Sequence, residues 1–182
     1  MARRLDTEIP DVALIEPEVH GDERGFMVET FRADAWRGLG ADAGFVQENH
    51  SRSGADILRG IHFQTSPGQA KLVRCARGRI WDVVVDLRRD SPTYRRWEGH
   101  ELDDETHRQL FVPIGFGHGF CVLSESADVT YKLSSYYDSD TEAGIAWDDP
   151  DVGIEWPVSE PVLSERDRGA PRLAEVADEL PW

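Results

Sequence analysis

Short apolar runs, cut by Gly, Pro, Asp and Ser, recur along the chain, and no long helical period interrupts them. That punctuation fits a sandwich or barrel and argues against a wound α/β sheet, which needs a helix between successive strands. The clearest strand covers residues 80–87. There Trp81, Val83, Val85 and Leu87 share one face, and Asp82, Val84 and Asp86 share the other. Arg77-Gly78 just before it reads as a hairpin turn from the run at 71–76. Further strands are expected at 111–113, 119–123 and 129–135, with 124–128 as a polar turn between the last two. Near the start one short helix is expected at 32–39, with Trp36 and Leu39 on one side and Gly40 as its stop. From about Asp138 the chain turns rich in Pro, Asp and Trp, as in Trp147-Asp-Asp-Pro150, and reads as an ordered loop closing over the sheet. With 182 residues and no internal repeat, the expectation is one mainly β domain over 1–182 with a few peripheral helices.

Charge narrows the partners. Thirty-five acidic against 20 basic residues give a formal charge of -15, which would repel a phosphate backbone, so nucleic-acid binding is disfavoured. Half of the cations nonetheless lie between Arg52 and Arg96, nine Arg and Lys71, which leaves room for a local small-anion site. No stretch approaches the length of a bilayer span, and the basic residues near Met1 have no apolar run behind them, so the expected location is the cytoplasm and no membrane partner is expected. Cys75 and Cys121 sit in apolar strand-like runs and read as buried thiols, not as a disulfide or zinc set.

Four residues could carry proton chemistry. Only Lys71 and Lys132 are lysines among the cations. Alternation sets Lys71 with Val73 and Cys75 on one strand face, where a compact ammonium could meet a developing oxyanion or simply reach water. His62, in Leu58-Arg-Gly-Ile-His-Phe-Gln64, titrates near neutrality as a general base must, although a strand histidine is more often a structural residue. Strict alternation puts Arg59 and His62 on opposite faces, so both serve one pocket only if Gly60 marks a bulge or twist. Tyr131 alternates with Val129 and Leu133 and faces inward, as an ordinary core aromatic also would. Asp167 has a capping reading, because Ser164-x-x-Asp167 matches the start of a helix, and this segment alone does not separate capping from catalysis. His118, in Pro113-Ile-Gly-Phe-Gly-His-Gly-Phe120, lies among glycines that allow close approach. There is no His-x-His pair and no His–Glu spacing around His62, and His20, His50, His100 and His107 read as loop residues, so no metal is expected.

Taken in order, Gly21-Asp-Glu-Arg-Gly-Phe26, Glu29-Thr-Phe31, 45–52, 58–64, Ser91-Pro-Thr-Tyr94, 113–120, Trp147-Asp-Asp-Pro150 and Leu163-Ser-Glu-Arg-Asp167 resemble the dTDP-4-dehydrorhamnose 3,5-epimerase family over nearly the whole chain. The resemblance implies a cupin-type double-sheet jelly-roll barrel, usually a homodimer, that uses no metal or other cofactor and takes a nucleotide sugar, dTDP-4-dehydro-6-deoxyglucose. It implies His62 as base with Asp167 as its dyad partner, Tyr131 as acid on the opposite ring face and Lys71 at the enolate oxygen. By the same motifs Arg24, Glu29, Gln47, Asn49, Arg59, His118, Glu142 and Arg166 would line the substrate site, and Tyr137 would stack on the thymine. Met27, Glu48 and Arg166 depart from the family's usual aromatic, Asp and Lys, which bears on the exact sugar or nucleotide more than on the reaction. A single-centre epimerase, a ketoisomerase and a non-catalytic sugar-nucleotide-binding barrel remain the alternatives. The chemistry agrees with the residue types: no dinucleotide fingerprint is present to create a ketone by oxidation, so the ketone must arrive with the substrate.

Overall fold

A computed structural model describes all 182 residues, Met1–Trp182. The apolar runs become strands of two facing sheets. In chain order the elements are β1 (Arg3–Leu5), β2 (Ala13–Glu16), β3 (Val19–Asp22), β4 (Gly25–Val28), α1 (Ala33–Gly38), β5 (Gln47–Gly54), β6 (Leu58–Gln64), β7 (Lys71–Arg77), β8 (Arg79–Asp86), β9 (Trp97–Asp103), β10 (Gln109–Val112), β11 (Phe116–Val122), β12 (Ser126–Leu133), β13 (Glu142–Gly144), α2 (Glu165–Arg168) and α3 (Leu173–Val176). One sheet runs β1-β2-β10-β7-β12-β5 and the other β13-β6-β11-β8-β9; β3 and β4 form a separate hairpin. Neighbouring strands in all three are antiparallel. This is the expected double-sheet barrel.

Alternation along β8 shows how the layers are built. Ile80 and Val84 point between the sheets into a core that includes Val73, Cys75, Leu110, Phe116 and Phe120. Val83, Val85 and Leu87 point the other way, beneath Ile145, Val152, Leu173 and Leu180. The segment after Asp138 therefore does close over the five-stranded sheet, although it contains β13 and two one-turn helices as well as loop. The helix α1 seats Trp36 against Ala13, Ile15, Leu72 and Phe111 on the outside of the six-stranded sheet. Burying each such side chain stabilises the fold by about 1.5–3 kcal/mol.

One expected hairpin is a crossover. Gly78 is not the tip of a hairpin, because β7 pairs with β10 and β12 while β8 pairs with β11 and β9. The chain crosses from one sheet to the other at Gly78, whose positive φ of 81° leaves no room for a Cβ beside the Ser126 carbonyl. The polar turn after β11 does the same in reverse, delivering β12 to the six-stranded sheet. Alternation shows that a strand turns, but not which sheet receives the next one. Three of the histidines read as loop residues, His20, His50 and His100, lie on strands, and His107 is buried beside Phe26. No helix is long and apolar enough to cross a membrane.

Candidate active site

The sheets part at one end to leave a cavity of about 230 Å³, with Arg59, His62, Lys71, His118, Tyr131 and Glu142 in its lining. His62 and Arg59 come from β6, and Lys71 and Tyr131 from β7 and β12 of the facing sheet. His62 and Tyr131 thus stand on opposite walls. Arg59 and His62 share the cavity because β6 bulges. His118 of β11 pairs with His62 and Phe120 with Arg59, so β6 carries one more residue over this stretch than its neighbour. The bulge is at Gly60, whose φ is +139° and where a Cβ would lie 2.5 Å from the Gly119 Cα. Glycines at 60 and 119 let the two backbones touch.

His62 Nε2 meets Asp167 Oδ1 at 2.5 Å, and Asp167 is buried. With Nε2–H donated to that carboxylate, Nδ1 is the ring nitrogen that keeps a lone pair. Of the capping box only the Ser164 half forms, and the Asp167 carboxylate goes to the dyad instead. The Asp167 backbone N–H donates to Ser164 Oγ at 3.0 Å, capping α2, while its carboxylate turns to His62. Burial pushes the Asp167 carboxyl upward, but the hydrogen bond and charge of His62 outweigh that, so its pKa falls below the ordinary value.

Lys71 is buried, and its ammonium donates to the His62 carbonyl at 3.3 Å. Desolvation lowers its pKa to about 8 against the opposing charges of Glu142 and Asp82. His118 is likewise pushed down by burial, with its Nε2 at 3.0 Å from each Asp82 oxygen. At the rim, Asn49 Nδ2 donates to the Tyr131 hydroxyl at 3.4 Å and Gln47 Nε2 to Asn49 Oδ1 at 2.9 Å. Across from them Glu142 accepts from the Tyr137 hydroxyl at 2.7 Å and from Arg166 Nη1 at 2.5 Å. Burial would raise the Glu142 carboxyl, but these two donors hold it below its ordinary value, and the same contact raises that of Tyr137.

Arg24 and Glu29 lie away from this cavity in the chain. Arg24 is held in its own turn by Asp22 at 2.5 Å on the β3–β4 hairpin, and Glu29 sits beside Arg32. Of the nine arginines between 52 and 96, Arg59 alone lines the cavity; others are spent elsewhere, as Arg52 on Asp128 and Arg88 on Asp86. Gln69 and Ser51, which the sequence reading passed over, also line it. Asp82 was visible as a carboxylate alternating with apolar residues, the signal of a buried charge, but nothing in sequence joined it to His118. No three His, Cys, Asp or Glu side chains gather as a ligand set for a metal.

Residues 6–175 match the dTDP-4-dehydrorhamnose 3,5-epimerase family. The epimerase of that name from Shigella flexneri is 49% identical over 165 residues, covering 90% of this chain and 91% of its own. A dTDP-4-dehydrorhamnose 3-epimerase from Streptomyces niveus is 45% identical over 166 residues, 90% of this chain and 80% of its own. Among solved structures, dTDP-6-deoxy-D-glucose-3,5-epimerase from Legionella pneumophila Philadelphia 1, in complex with dTDP-4-keto-L-rhamnose, superimposes with a TM-score of 0.96 at 42% identity, covering 100% of this chain and 98% of that one. With sequence and fold agreeing over almost its full length, this chain belongs to the dTDP-4-dehydrorhamnose 3,5-epimerase family.

Proposed function

We propose that the chain converts dTDP-4-dehydro-6-deoxy-D-glucose to dTDP-4-dehydro-L-rhamnose by inverting C3 and C5, with His62 as base, Tyr131 as acid, Asp167 orienting the base and Lys71 at the keto oxygen. The observation that supports this most directly is the His62–Asp167 dyad on one wall of a cavity whose opposite wall carries Tyr131. A C4 ketone acidifies the hydrogens on both neighbouring carbons. His62 Nδ1 takes one of them, the C–H electrons pass into the C4 oxygen, and the Lys71 ammonium stabilises the enolate that forms. Tyr131 then donates its hydroxyl proton to the other face of that carbon as the enolate returns to a ketone. Proton exchange with solvent restores imidazole and phenol, and the second carbon follows the same path.

The cavity has room for a sugar ring and not for a whole nucleotide sugar, so the diphosphate and base would lie across its rim. There Arg59, Gln47, Asn49, Glu142 and Arg166 supply polar contacts and Tyr137, 51% exposed, supplies a ring to stack on, while the buried His118 faces the sugar inside the cavity. The enzyme is proposed to work as a homodimer in which a second copy covers the β3–β4 hairpin. An isolated two-stranded hairpin is marginal in water, and this one exposes Phe26 and Met27 together with Arg24. The whole of 1–182 acts as one epimerase unit, and its free buried Cys75 and Cys121 suit the reducing cytoplasm.

Incubating the keto-sugar with the protein in D₂O, followed by mass spectrometry and NMR of ring stereochemistry, tests the proposal. Two deuterons with inversion at C3 and C5 are expected. The likeness to the Streptomyces niveus 3-epimerase supports a second reading, inversion at one centre, which one deuteron would establish. No deuterium with this sugar would refute both.

A further inference from the structure

His62 has a counterpart beside it. On β11, directly across from His62, stands His118, and its Nε2 also meets a buried carboxylate, Asp82 of β8. Asp82 is fully buried and has no other hydrogen-bond donor; both its oxygens share that one N–H at 3.0 Å. Four residues along the same face of the same strand, Asp86 is also fully buried but receives Arg88 through Nε at 2.9 Å and Nη2 at 2.8 Å, Ser91 Oγ at 2.6 Å and Thr93 Oγ1 at 2.7 Å. Asp86 is a carboxylate satisfied for structure, knitting the turn between β8 and β9. Asp82 has far too few donors for that role, and an ionised carboxylate so placed is tolerated only where a cation offsets its charge.

The nearby cation is Lys71, whose charged form the field of Asp82 favours. The other titratable groups facing Lys71 are His62 and Arg59 from β6, His118 from β11, Tyr131 from β12 and Glu142 from β13. His100 stands opposite Asp82 on β9, and Glu142 is already engaged by Arg166 and Tyr137. Asp82 is therefore the one anion of the group with no cation of its own.

We propose that Asp82 is a positioning residue of the epimerase site: it holds His118 with Nε2–H toward itself and Nδ1 toward the cavity, and it supplies the fixed negative charge that keeps the Lys71 ammonium at the keto oxygen. Its assignment to that oxygen rests on the function proposed above; the Asp82–His118–Lys71 linkage does not. A neutral His118 with an Nδ1 lone pair facing the cavity accepts from a sugar hydroxyl, which a phosphate oxygen cannot provide. The site then contains two His–Asp pairs of different use, one at the rim of reaction with a base to protonate, and one behind it that sets charge and hydrogen-bond direction.

The chain has only two lysines, so ¹⁵Nζ-lysine labelling gives two side-chain resonances, and a Lys132→Arg variant identifies the Lys71 signal. Lys71 is expected to titrate near 8 in the wild-type protein. In Asp82→Asn the midpoint is expected to drop by about one unit or more, the usual effect of losing a close opposite charge. The alkaline limb of kcat/KM should move down with it, while affinity for the dTDP moiety stays unchanged. A purely structural carboxylate would lower thermal stability and leave both midpoints in place, and an unmoved Lys71 titration in folded Asp82→Asn overturns the proposal. If that variant does not fold, ¹⁵N-histidine spectra of the wild-type protein decide: the Nε2–H tautomer at His118 supports the assignment, and the Nδ1–H tautomer refutes it. Because these readouts are spectroscopic, they stand or fall independently of whether deuterium enters the sugar.

Discussion

Replacing Asp167 by Asn removes a charge and almost no volume at the point where the proposed base is held. When His62 takes a proton from carbon it becomes an imidazolium 2.5 Å from the Asp167 carboxylate. A charge-assisted hydrogen bond of that kind contributes about 1.5–3 kcal/mol, or roughly 10- to 100-fold in rate when it strengthens in the transition state. Asn does further harm, because its amide can donate to Nε2 and drive the ring proton onto Nδ1, leaving no lone pair toward the substrate. Combining lost charge with the wrong tautomer sets the expected fall in kcat at about 10²–10⁴-fold. KM should change little, since the Asp167 carboxylate sits behind His62 and outside the cavity lining. Stability should also change little at neutral pH, because the contact that caps α2 uses the Asp167 backbone N–H, which Asn retains. Deuterium wash-in under single-turnover conditions is the direct assay, with thermal unfolding as the control. Exchange within about threefold of wild type in a folded Asp167→Asn protein would refute the dyad and leave Asp167 with only its backbone contact to the Ser164 cap.

Four further outcomes are expected. Tyr131→Phe should reduce net inversion far more than deuterium exchange, because His62 can still abstract and return a proton on its own face; equal loss of both, by NMR and mass spectrometry, would remove Tyr131 as the acid. Lys71→Met should lower kcat by about 10²-fold or more; in the wild type, stability should rise with pH between about 8 and the ordinary lysine value, where the unfolded chain binds the extra proton. Gly60→Ala should cost about 2–3 kcal/mol or prevent folding, read by urea unfolding, because it places a Cβ at positive φ against Gly119. Cys75 and Cys121, pushed up to about 12 by burial, should remain unreactive to thiol reagents at pH 8 until the chain unfolds.

What the sequence made legible follows from the range of each physical signal. Alternation is local, and it correctly placed Tyr131 with Val129, Lys71 with Val73 and Cys75, and Asp82 with Val84 and Asp86 on one face of β8, without saying which face is the inner one. It could pose the conflict between Arg59 and His62, and it pointed to a bulge or twist at Gly60, of which the structure shows the bulge. It could not see that Gly78 sends the chain to the opposite sheet, since a hairpin and a crossover begin with the same turn residues. Nor could it join His118 to Asp82, 36 residues apart, or weigh Glu142 against its partners Tyr137 and Arg166. Those contacts exist only once β13, α2 and the five-stranded sheet have been assembled. The positions of Arg24 and Glu29 show the same limit from the other side: their motif was readable, but the hairpin that carries them leaves the cavity of its own chain.

The crossover at Gly78 also explains why this fold suits proton transfer to both faces of a ring. Strands that alternate between sheets put sequence neighbours on opposite walls: β6 and β8 supply His62 and Asp82 to one sheet, while β7 between them supplies Lys71 to the other. A base and an acid carried on facing sheets cannot approach each other without collapsing the core that includes Val73, Val84 and Phe120. Their separation is thereby fixed by the packing of the whole barrel, which costs no reorganisation at the moment of reaction. A loop-mounted acid could swing to the same face as the base and return the proton it had just lost. For the proposed pair of His62 and Tyr131, two rigid walls would prevent that, so that the proton from Tyr131 reaches the ring on the face opposite the base.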